Sequence, residues 1–576
     1  MKGMKTILFF VSVFYLLGIT VHAQTFKTTN IGIANKIGEG VDKEHVIIAK
    51  KKWLLLPITN GAKKKKVEIR FKGEEVWGFD IEMANDSPDW YAYIDISKWK
   101  GEELKIRIDS LDDHSQSFDL VKQSDKDVGH NQLYQEPQRA QFHFSPRRGW
   151  NNDPNGLVYY KGEYHLFFQH NPFGVLWGNM HWGHAVSTDL VHWKELDIAL
   201  YPDSFGTMYS GGGIVDIDNT SGLGDASQAP MVLFYTAADS WIQGLAYSQD
   251  GRNFEKTEPI LSKISDGNRD PKVIWHEPTR RWVMVLYVGQ ENDQHTIHFL
   301  TSTNLKKWEL ASVFNGGLGD DRYLFECPEF FELPIEGSTG EKKWVLTGAN
   351  NEYAIGTFDG KVFKPEEERL NGQYGRGFYA PQTYSNEPNG RRIELGWWRT
   401  NTNEIGANFN QSMSIPMKLN LIKTPKGLRL TRTPVEELKT LRMKHYSFND
   451  LEVPNSQIYT FKNIKAELLE IRTVFEPGKA EVVQFTIRGI DVVYNVEKEE
   501  LSVDGVRAHL PLFNNRLKLV IYVDRIGLEI FSNQGMFFMP INVNIGAENK
   551  GVNVTVKGAD MKISKMDVYE LKSSWK

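Results

Sequence analysis

One pattern recurs through the middle of this chain and limits its architecture more than any other feature. Residues 156–160, a turn and residues 164–168 read as a β-hairpin of apolar and alternating runs. The same reading applies to 213–217 with 231–235, 272–275 with 282–287, 330–333 with 344–347, and 382–384 with 392–398. The starts lie about 50–60 residues apart, the period of a propeller blade rather than of a helical solenoid. A second signature keeps the same step. Ser187-Thr-Asp189-Leu-Val-His-Trp193, Ser248-Gln-Asp250-Gly-Arg-Asn-Phe254 and Ser302-Thr-Asn304-Leu-Lys-Lys-Trp308 each read Ser-x-Asp/Asn-x-x-x-aromatic. The Asp or Asn closes a turn on its own backbone, and the aromatic is expected to plug the space between blades. Residues 138–435 are therefore expected to form a five-bladed β-propeller.

The flanks read as further all-β units, as the length of 576 residues allows. From 445 to 576, short alternating strands at 458–461, 468–475, 482–487, 492–496, 517–523 and 527–531 fit a β-sandwich. Residues 24–130 carry strand candidates at 54–58, 67–71, 77–83, 90–96 and 104–108 and read as a small β-sandwich-like module. The lysines at 63–66 are expected at a solvated hairpin tip. Trp77, Trp90, Tyr91 and Tyr93 suit either a core or a sugar platform. The polar stretch 122–138 reads as a linker.

Lys2 and Lys5 precede an apolar run of 13 residues, 7–19, and Val21 and Ala23 occupy small-residue positions before Gln24. This is the pattern of a secretory signal peptide at 1–23, with a buried helix as the competing reading. The run is shorter than the about 20 residues a membrane span needs, and no later stretch is longer. The protein is expected to be exported, to the periplasm or the medium, with no membrane span. Its 68 basic and 73 acidic residues leave a net charge of −5 with no strongly basic domain, which argues against nucleic acid as a partner. Cys327 is the one cysteine, so a disulfide framework and cysteine-rich metal sites are excluded. The 15 histidines show no metal-ligand spacing, and no metal or other cofactor is expected.

Three acids occupy equivalent places in the repeat. Asp153 lies in Trp150-Asn-Asn-Asp-Pro-Asn-Gly156, Asp270 in Arg269-Asp-Pro271 and Glu326 in Glu326-Cys-Pro328, at spacings of 117 and 56 residues. Each precedes a hairpin and is followed by proline within two residues, which is expected to hold the acid on stiff extended chain. The first strand of each propeller blade lines the central channel, so the three carboxylates can converge on one mouth. A carboxylate pair is what glycoside hydrolysis requires, and crowding would raise one pKa while leaving a neighbour ionised. Arg269 is expected to keep Asp270 ionised. Loop punctuation explains any one of these motifs, but not three at the blade period.

Together the three motifs closely resemble the signatures of glycoside hydrolase family 32, which includes invertases, inulinases and levanases. The resemblance covers residues 138–576. It implies a retaining mechanism on β-fructofuranosides, with Asp153 as nucleophile, Glu326 as acid/base, Asp270 as transition-state stabiliser and Arg269 as an orienting group. It also implies that Asn152, Gln169 (in Phe168-Gln-His-Asn-Pro172), Trp177, Ser210 (in Tyr209-Ser-Gly211) and Trp397 line the fructose pocket. The chain departs from the family in two places. Gly375-Arg-Gly-Phe-Tyr-Ala380 lacks the acid of the common Gly-x-Asp-Phe-Tyr-Ala segment, and an N-terminal β module is added. The expected function is exo-release of fructose from a levan- or inulin-type fructan or fructo-oligosaccharide, with sucrose as a further candidate. The rivals are a fructosyltransferase using the same covalent intermediate, a related inverting arabinosidase, and a propeller that binds fructan without cutting it.

Overall fold

The computed structural model describes residues 41–575 apart from 112–113, 128, 130–131, 226–227, 401 and 403–405. The expected signal peptide lies outside the described residues. Five antiparallel sheets follow one another through residues 149–434, each opening with an inner strand: Gly149–Tyr160, Gly213–Val215, Arg269–His276, Glu329–Pro334 and Phe378–Thr383. Within a blade the later strands step outward in chain order, as in Arg269–His276, Arg281–Gln290, Gln294–Ser302 and Glu309–Leu318. Such meanders have strongly coupled registers, because a slip of one residue would turn every core side chain outward.

The inner strands meet around the axis through direct backbone hydrogen bonds. Gly156 N donates to Gly211 O at 3.0 Å, Gly212 N to Pro271 O at 2.8 Å, Ala380 N to Ala349 O at 2.8 Å and Ser385 N to Leu157 O at 3.0 Å. Close packing is why the run Gly211-Gly212-Gly213 is needed: a Cβ on Gly213 would stand 2.9 Å from Gly156 O of the first blade, and one on Gly211 1.9 Å from Phe234 O of its own blade. The ring closes where Phe409–Asn410, after the fifth blade begins, pairs in parallel with Gly149 and Trp150 of the first.

The Ser-x-Asp/Asn turns form as their chemistry dictates. Asp189 Oδ1 accepts from Val191 N and His192 N at 3.0 and 2.8 Å. Asp250 Oδ1 accepts from Arg252 N and Asn253 N at 2.7 and 2.8 Å, and Asn304 Oδ1 from Lys306 N and Lys307 N at 3.1 and 3.0 Å. The following aromatics reach neighbouring blades: Phe254 meets Phe167, and Trp308 meets Phe234.

Ahead of the propeller, two sheets pack face to face. One orders Val41–Ile48, Glu103–Leu111, Lys65–Phe71 and Glu74–Ile81, and the other Trp90–Asp95, Trp53–Ile58 and Lys122–Ser124. The stretch read as a linker therefore begins with an edge strand, since Lys122–Ser124 pairs with Trp53–Leu55 despite its polarity. Lys65 also departs from the solvated tip: it is buried and its Nζ donates to Ser110 O. Trp90 is a core residue whose Nε1 donates to Asn60 Oδ1 at 2.9 Å.

After the propeller, two six-stranded sheets enclose one apolar core. Leu468, Tyr522, Phe531, Phe538 and Leu571 of this sandwich join Phe142, Phe378 and Ile415 of the propeller in a second, shared core. A continuous core of that kind leaves little room for hinge motion. Among the described residues no helix is long and apolar enough to cross a membrane.

Candidate active site

Asp153 sits within Gly149–Tyr160, Asp270 is the second residue of Arg269–His276, and Glu326 stands just before Glu329–Pro334. All three are thus on inner strands or their entries. The chain around them is not simply extended. The pairing register shifts between Asn151 and Pro154 and again between Arg269 and Lys272, the mark of β-bulges. Asp270 has φ +65° and Cys327 φ +50°, each directly before a proline. The expectation of stiff extended chain fails at these two residues because tertiary bonds hold the left-handed turn: Asp270 N donates to Thr236 Oγ1 at 3.1 Å, and Cys327 N to Asp270 Oδ2 at 2.8 Å.

The bulges bring the acids into one cluster. Cys327 Sγ lies 3.5 Å from Asp153 Oδ2 and 3.4 Å from Asp270 Oδ2. Ser210 Oγ donates to Asp153 Oδ2 at 2.8 Å. Arg269 reaches Glu326 Oε2 through Nη2 at 2.8 Å and Nε at 3.3 Å, while its Nε stays 3.7 Å from Asp270 Oδ2. Tyr379 OH donates to the other oxygen of Glu326.

These contacts divide the charges. Burial pushes the Asp270 carboxyl up to about 7, against the pull of Arg269 and with the push of Glu326 and Asp153. Burial likewise raises Asp153, opposed by the hydrogen bond from Ser210. Burial acts on Glu326 too, but Arg269 and Tyr379 outweigh it and the net direction is down. Arg269 pulls Asp270 toward the ionised form as expected, but burial and the two neighbouring carboxylates outweigh that pull, and the guanidinium fork is engaged by Glu326.

The other expected pocket residues separate into a wall and a rim. Asn152 is buried, accepts from Trp150 Nε1 at 3.0 Å and hydrogen-bonds Asp153. Gln169 is buried behind the acids, where its N and Nε2 reach the Asn155 carboxamide oxygen at 3.0 Å, with the Asn155 amide 3.3 Å from Ser210 Oγ. Trp397 is half-buried, donates Nε1 to Gln411 Oε1 at 3.0 Å and meets the rings of Trp150 and Tyr379 edge-on. Trp177 is 48% exposed and stands at the rim, its ring 6.1 Å from that of Tyr209, the residue before Ser210.

Sequence reasoning passed over Tyr379, Cys327, Asn155 and the pair Lys272–Glu329. That pair is fully buried beneath the acids at 2.7 Å, with Lys272 Nζ also donating to Thr383 O. Tyr379 was detectable only through the segment that contains it. In that segment Gly377 replaces the usual acid at φ +94°, with Asn542 Nδ2 3.0 Å from where a Cβ would stand. Arg376 turns away to clamp Asn542 and Asp504 of the sandwich. The exposed Arg399 guanidinium lies 3.9 Å from the Tyr379 ring and 4.7 Å from that of Trp397, so this rim carries a cation. Among the described residues no group of three or more His, Cys, Asp or Glu is placed to hold a metal ion.

Residues 143–434 match the family model of the glycosyl hydrolases family 32 N-terminal domain. The levanase of Bacillus subtilis (strain 168) is 36% identical over 496 residues, spanning 78% of this chain and 72% of that protein. An extracellular exo-inulinase of Aspergillus niger is 28% identical over 526 residues, spanning 78% and 97%. The crystal structure of exo-inulinase from Aspergillus awamori superposes with a TM-score of 0.69 at 27% identity, over 77% of this chain and 100% of that one.

Proposed function

We propose that this chain, which belongs to glycosyl hydrolase family 32, is an exported β-fructosidase that releases fructose from the ends of levan- or inulin-type fructan. The observation that carries the reading is the cluster itself: Asp153, Asp270 and Glu326 joined through Cys327 and Arg269. The relatives named levanase and exo-inulinase supply the substrate class and support exo action.

In a retaining cycle Asp153 attacks the anomeric carbon of the terminal fructosyl unit while Glu326 gives a proton to the departing oxygen. Glu326 then takes a proton from the water that releases fructose. Ser210, donating to Asp153 Oδ2, keeps one carboxylate oxygen fixed while the other is spent on the bond being made. Asp270 faces the same guanidinium as Glu326, and its raised pKa suits it to exchange hydrogen bonds with sugar hydroxyls. A pocket of paired polar groups rejects sugars that leave them unpaired. Loading Glu326 for the first step means loosening the bonds from Arg269 and Tyr379 that hold it ionised in the free site.

The test is a time course of products from levan, inulin and sucrose with the purified mature protein. Fructose alone from the earliest samples is expected from at least one polymer. Asp153→Asn and Glu326→Gln are expected to fold normally and lose at least about 10²-fold in turnover. An oligosaccharide ladder would replace exo with endo action. Transfer products in place of fructose would make the protein a fructosyltransferase. Binding without cleavage would make it a lectin.

A further inference from the structure

The N-terminal module does more than sit beside the propeller. Between Glu163–Asn171 and His181–Ser187 the first blade extends a loop whose apolar side chains leave their own domain. Phe173 and Val175 are buried in the core of the module, among Leu56, Phe79, Ile81 and Trp90. Phe173 stacks on Phe79 with ring centroids 3.8 Å apart and meets Trp77 edge-on. Asn179, at the end of the loop, makes a reciprocal pair with the backbone of Asp80: Asp80 N donates to its Oδ1 at 3.0 Å, and its Nδ2 donates to Asp80 O at 2.7 Å. Between these two anchors, Trp177 stands on the rim, one ring away from Ser210 and Asp153 through Tyr209.

The module also reaches the rim directly. Lys64 Nζ lies beside Gly178, 3.9 Å from where a Cβ would stand. Asn60 Nδ2 donates to Ala407 O at 2.6 Å, on the segment leading to Asn410 and Gln411, the partner of Trp397. Asn410 Nδ2 in turn donates to Val175 O at 3.0 Å. The loop is partly self-supporting, since Asn171 accepts from Phe173 N at 3.0 Å and donates to Leu176 O at 2.8 Å. Its two apolar anchors, however, have their packing partners in the module.

We infer that the N-terminal module is part of the substrate site: Phe79 and Trp77 are positioning residues that hold the 172–180 loop, and through it Trp177, against the terminal sugar. The inference rests on the β-fructosidase reading. It assigns the added module a role in substrate affinity rather than in the chemical step, because Trp177 stands at the rim and the acids are held by other elements.

The experiment compares Phe79→Ala, Trp177→Ala and the double variant in the full chain, with Phe79→Tyr as the conservative control. Phe79→Ala is expected to raise KM for fructan about tenfold with kcat within about twofold, a loss of only uniform binding. Trp177→Ala should do the same, and the double variant should be no worse than the poorer single one, because both remove one device. Phe79→Tyr should restore the wild-type KM. Unchanged KM in Phe79→Ala, or full additivity with Trp177→Ala, would overturn the inference. A second readout does not need turnover: acrylamide quenching of Trp177, taken as the difference between each protein and its Trp177→Phe counterpart. Quenching is expected to rise in Phe79→Ala, and no rise would again overturn the inference. Trp77→Leu, which removes the edge contact on Phe173 from the module's side, should move both readouts the same way and covers failure of Phe79→Ala to fold. An inactive wild-type protein would sink the functional reading and leave the quenching test standing.

Discussion

Tyr379 sets the terms on which Glu326 can act as an acid. It donates to one carboxylate oxygen while Arg269 holds the other, and both bonds favour the ionised form. Replacing Tyr379 with Phe removes one of the two. A hydrogen bond to a charged group contributes about 1.5–3 kcal/mol, and about 1.4 kcal/mol corresponds to one pKa unit. The Glu326 pKa should therefore rise. With Glu326 required in its protonated form in the free enzyme, the alkaline limb of kcat/KM moves up with it, and a pH–rate profile on a fructan oligosaccharide reads it directly. A limb that stays in place would show that another group supplies the proton. The acids themselves were legible because an Asp or Glu followed by proline within two residues, repeated at the blade period, is rare by chance. Tyr379 and Asn155 were not, because a tyrosine or asparagine on a β-strand looks alike whether it faces a core, solvent or a carboxylate. The bond from Arg269 to Glu326 was hidden for a related reason. Adjacency in sequence to Asp270 says nothing of the 2.8 Å approach to Glu326, which depends on how two blades meet.

At the scale of elements, the hairpins were the clearest message in the sequence: each expected run falls on a paired strand of the propeller, with Asp216, Ile217 and Tyr384 lying beyond the strand ends. The strands that escaped notice are polar or irregular ones such as Arg442–Val453, whose outer face is exposed and whose pairing with Met561–Leu571 spans more than a hundred residues of chain. The turn signature between blades was readable because its chemistry is local. Asp250 accepts two backbone N–H groups and the Ser248 hydroxyl, which hold its carboxylate well below the usual range despite partial burial. Leu190, Gly251 and Leu305, the residues after the Asp or Asn in the three turns, all take positive φ. Asp250→Ala hands two exposed N–H groups back to water and should destabilise by about 1 kcal/mol. With propeller and sandwich sharing one core, that corresponds to roughly 1 °C of Tm per kcal/mol in their joint transition. Asp250→Asn should recover most of the loss, since Asn304 closes the equivalent turn with the same oxygen. Calorimetry of the two variants checks both statements, and a Tm loss in the Asn variant equal to that in the Ala variant would show that charge, rather than an acceptor, holds the turn. Fructose release should be unchanged in both.

The way the three all-β units join was the least legible level, because it depends on residues hundreds of positions apart. Besides the shared core and the Arg376 clamp, one buried histidine ties the propeller to the sandwich. His143 Nδ1 lies 2.8 Å from Asp524 Oδ2 and Nε2 lies 2.9 Å from Glu529 Oε2. Gln141 N and Phe142 N also donate to Asp524, and Trp398 packs over the imidazole ring. Burial disfavours the imidazolium, but the two carboxylates outweigh it and push the His143 pKa up to about 9. The unfolded value is about 6.5, so the imidazolium is bound more tightly in the native state. Its contribution is present in full below about pH 6.5 and is lost as pH rises through about 9. The expected result is a Tm that falls between pH 7 and 9.5. His143→Gln should lower Tm at neutral pH, where two buried carboxylates lose their cation, a change that costs about 3–5 kcal/mol in comparable cases. It should also flatten the alkaline slope, because the titrating group is gone. Equal slopes in the two proteins would place the alkaline sensitivity elsewhere. The same pair of curves tests whether propeller and sandwich unfold as one unit: with a shared core and a charged lock between them, a single transition is expected below pH 8, and separation into two transitions only once His143 has lost its proton.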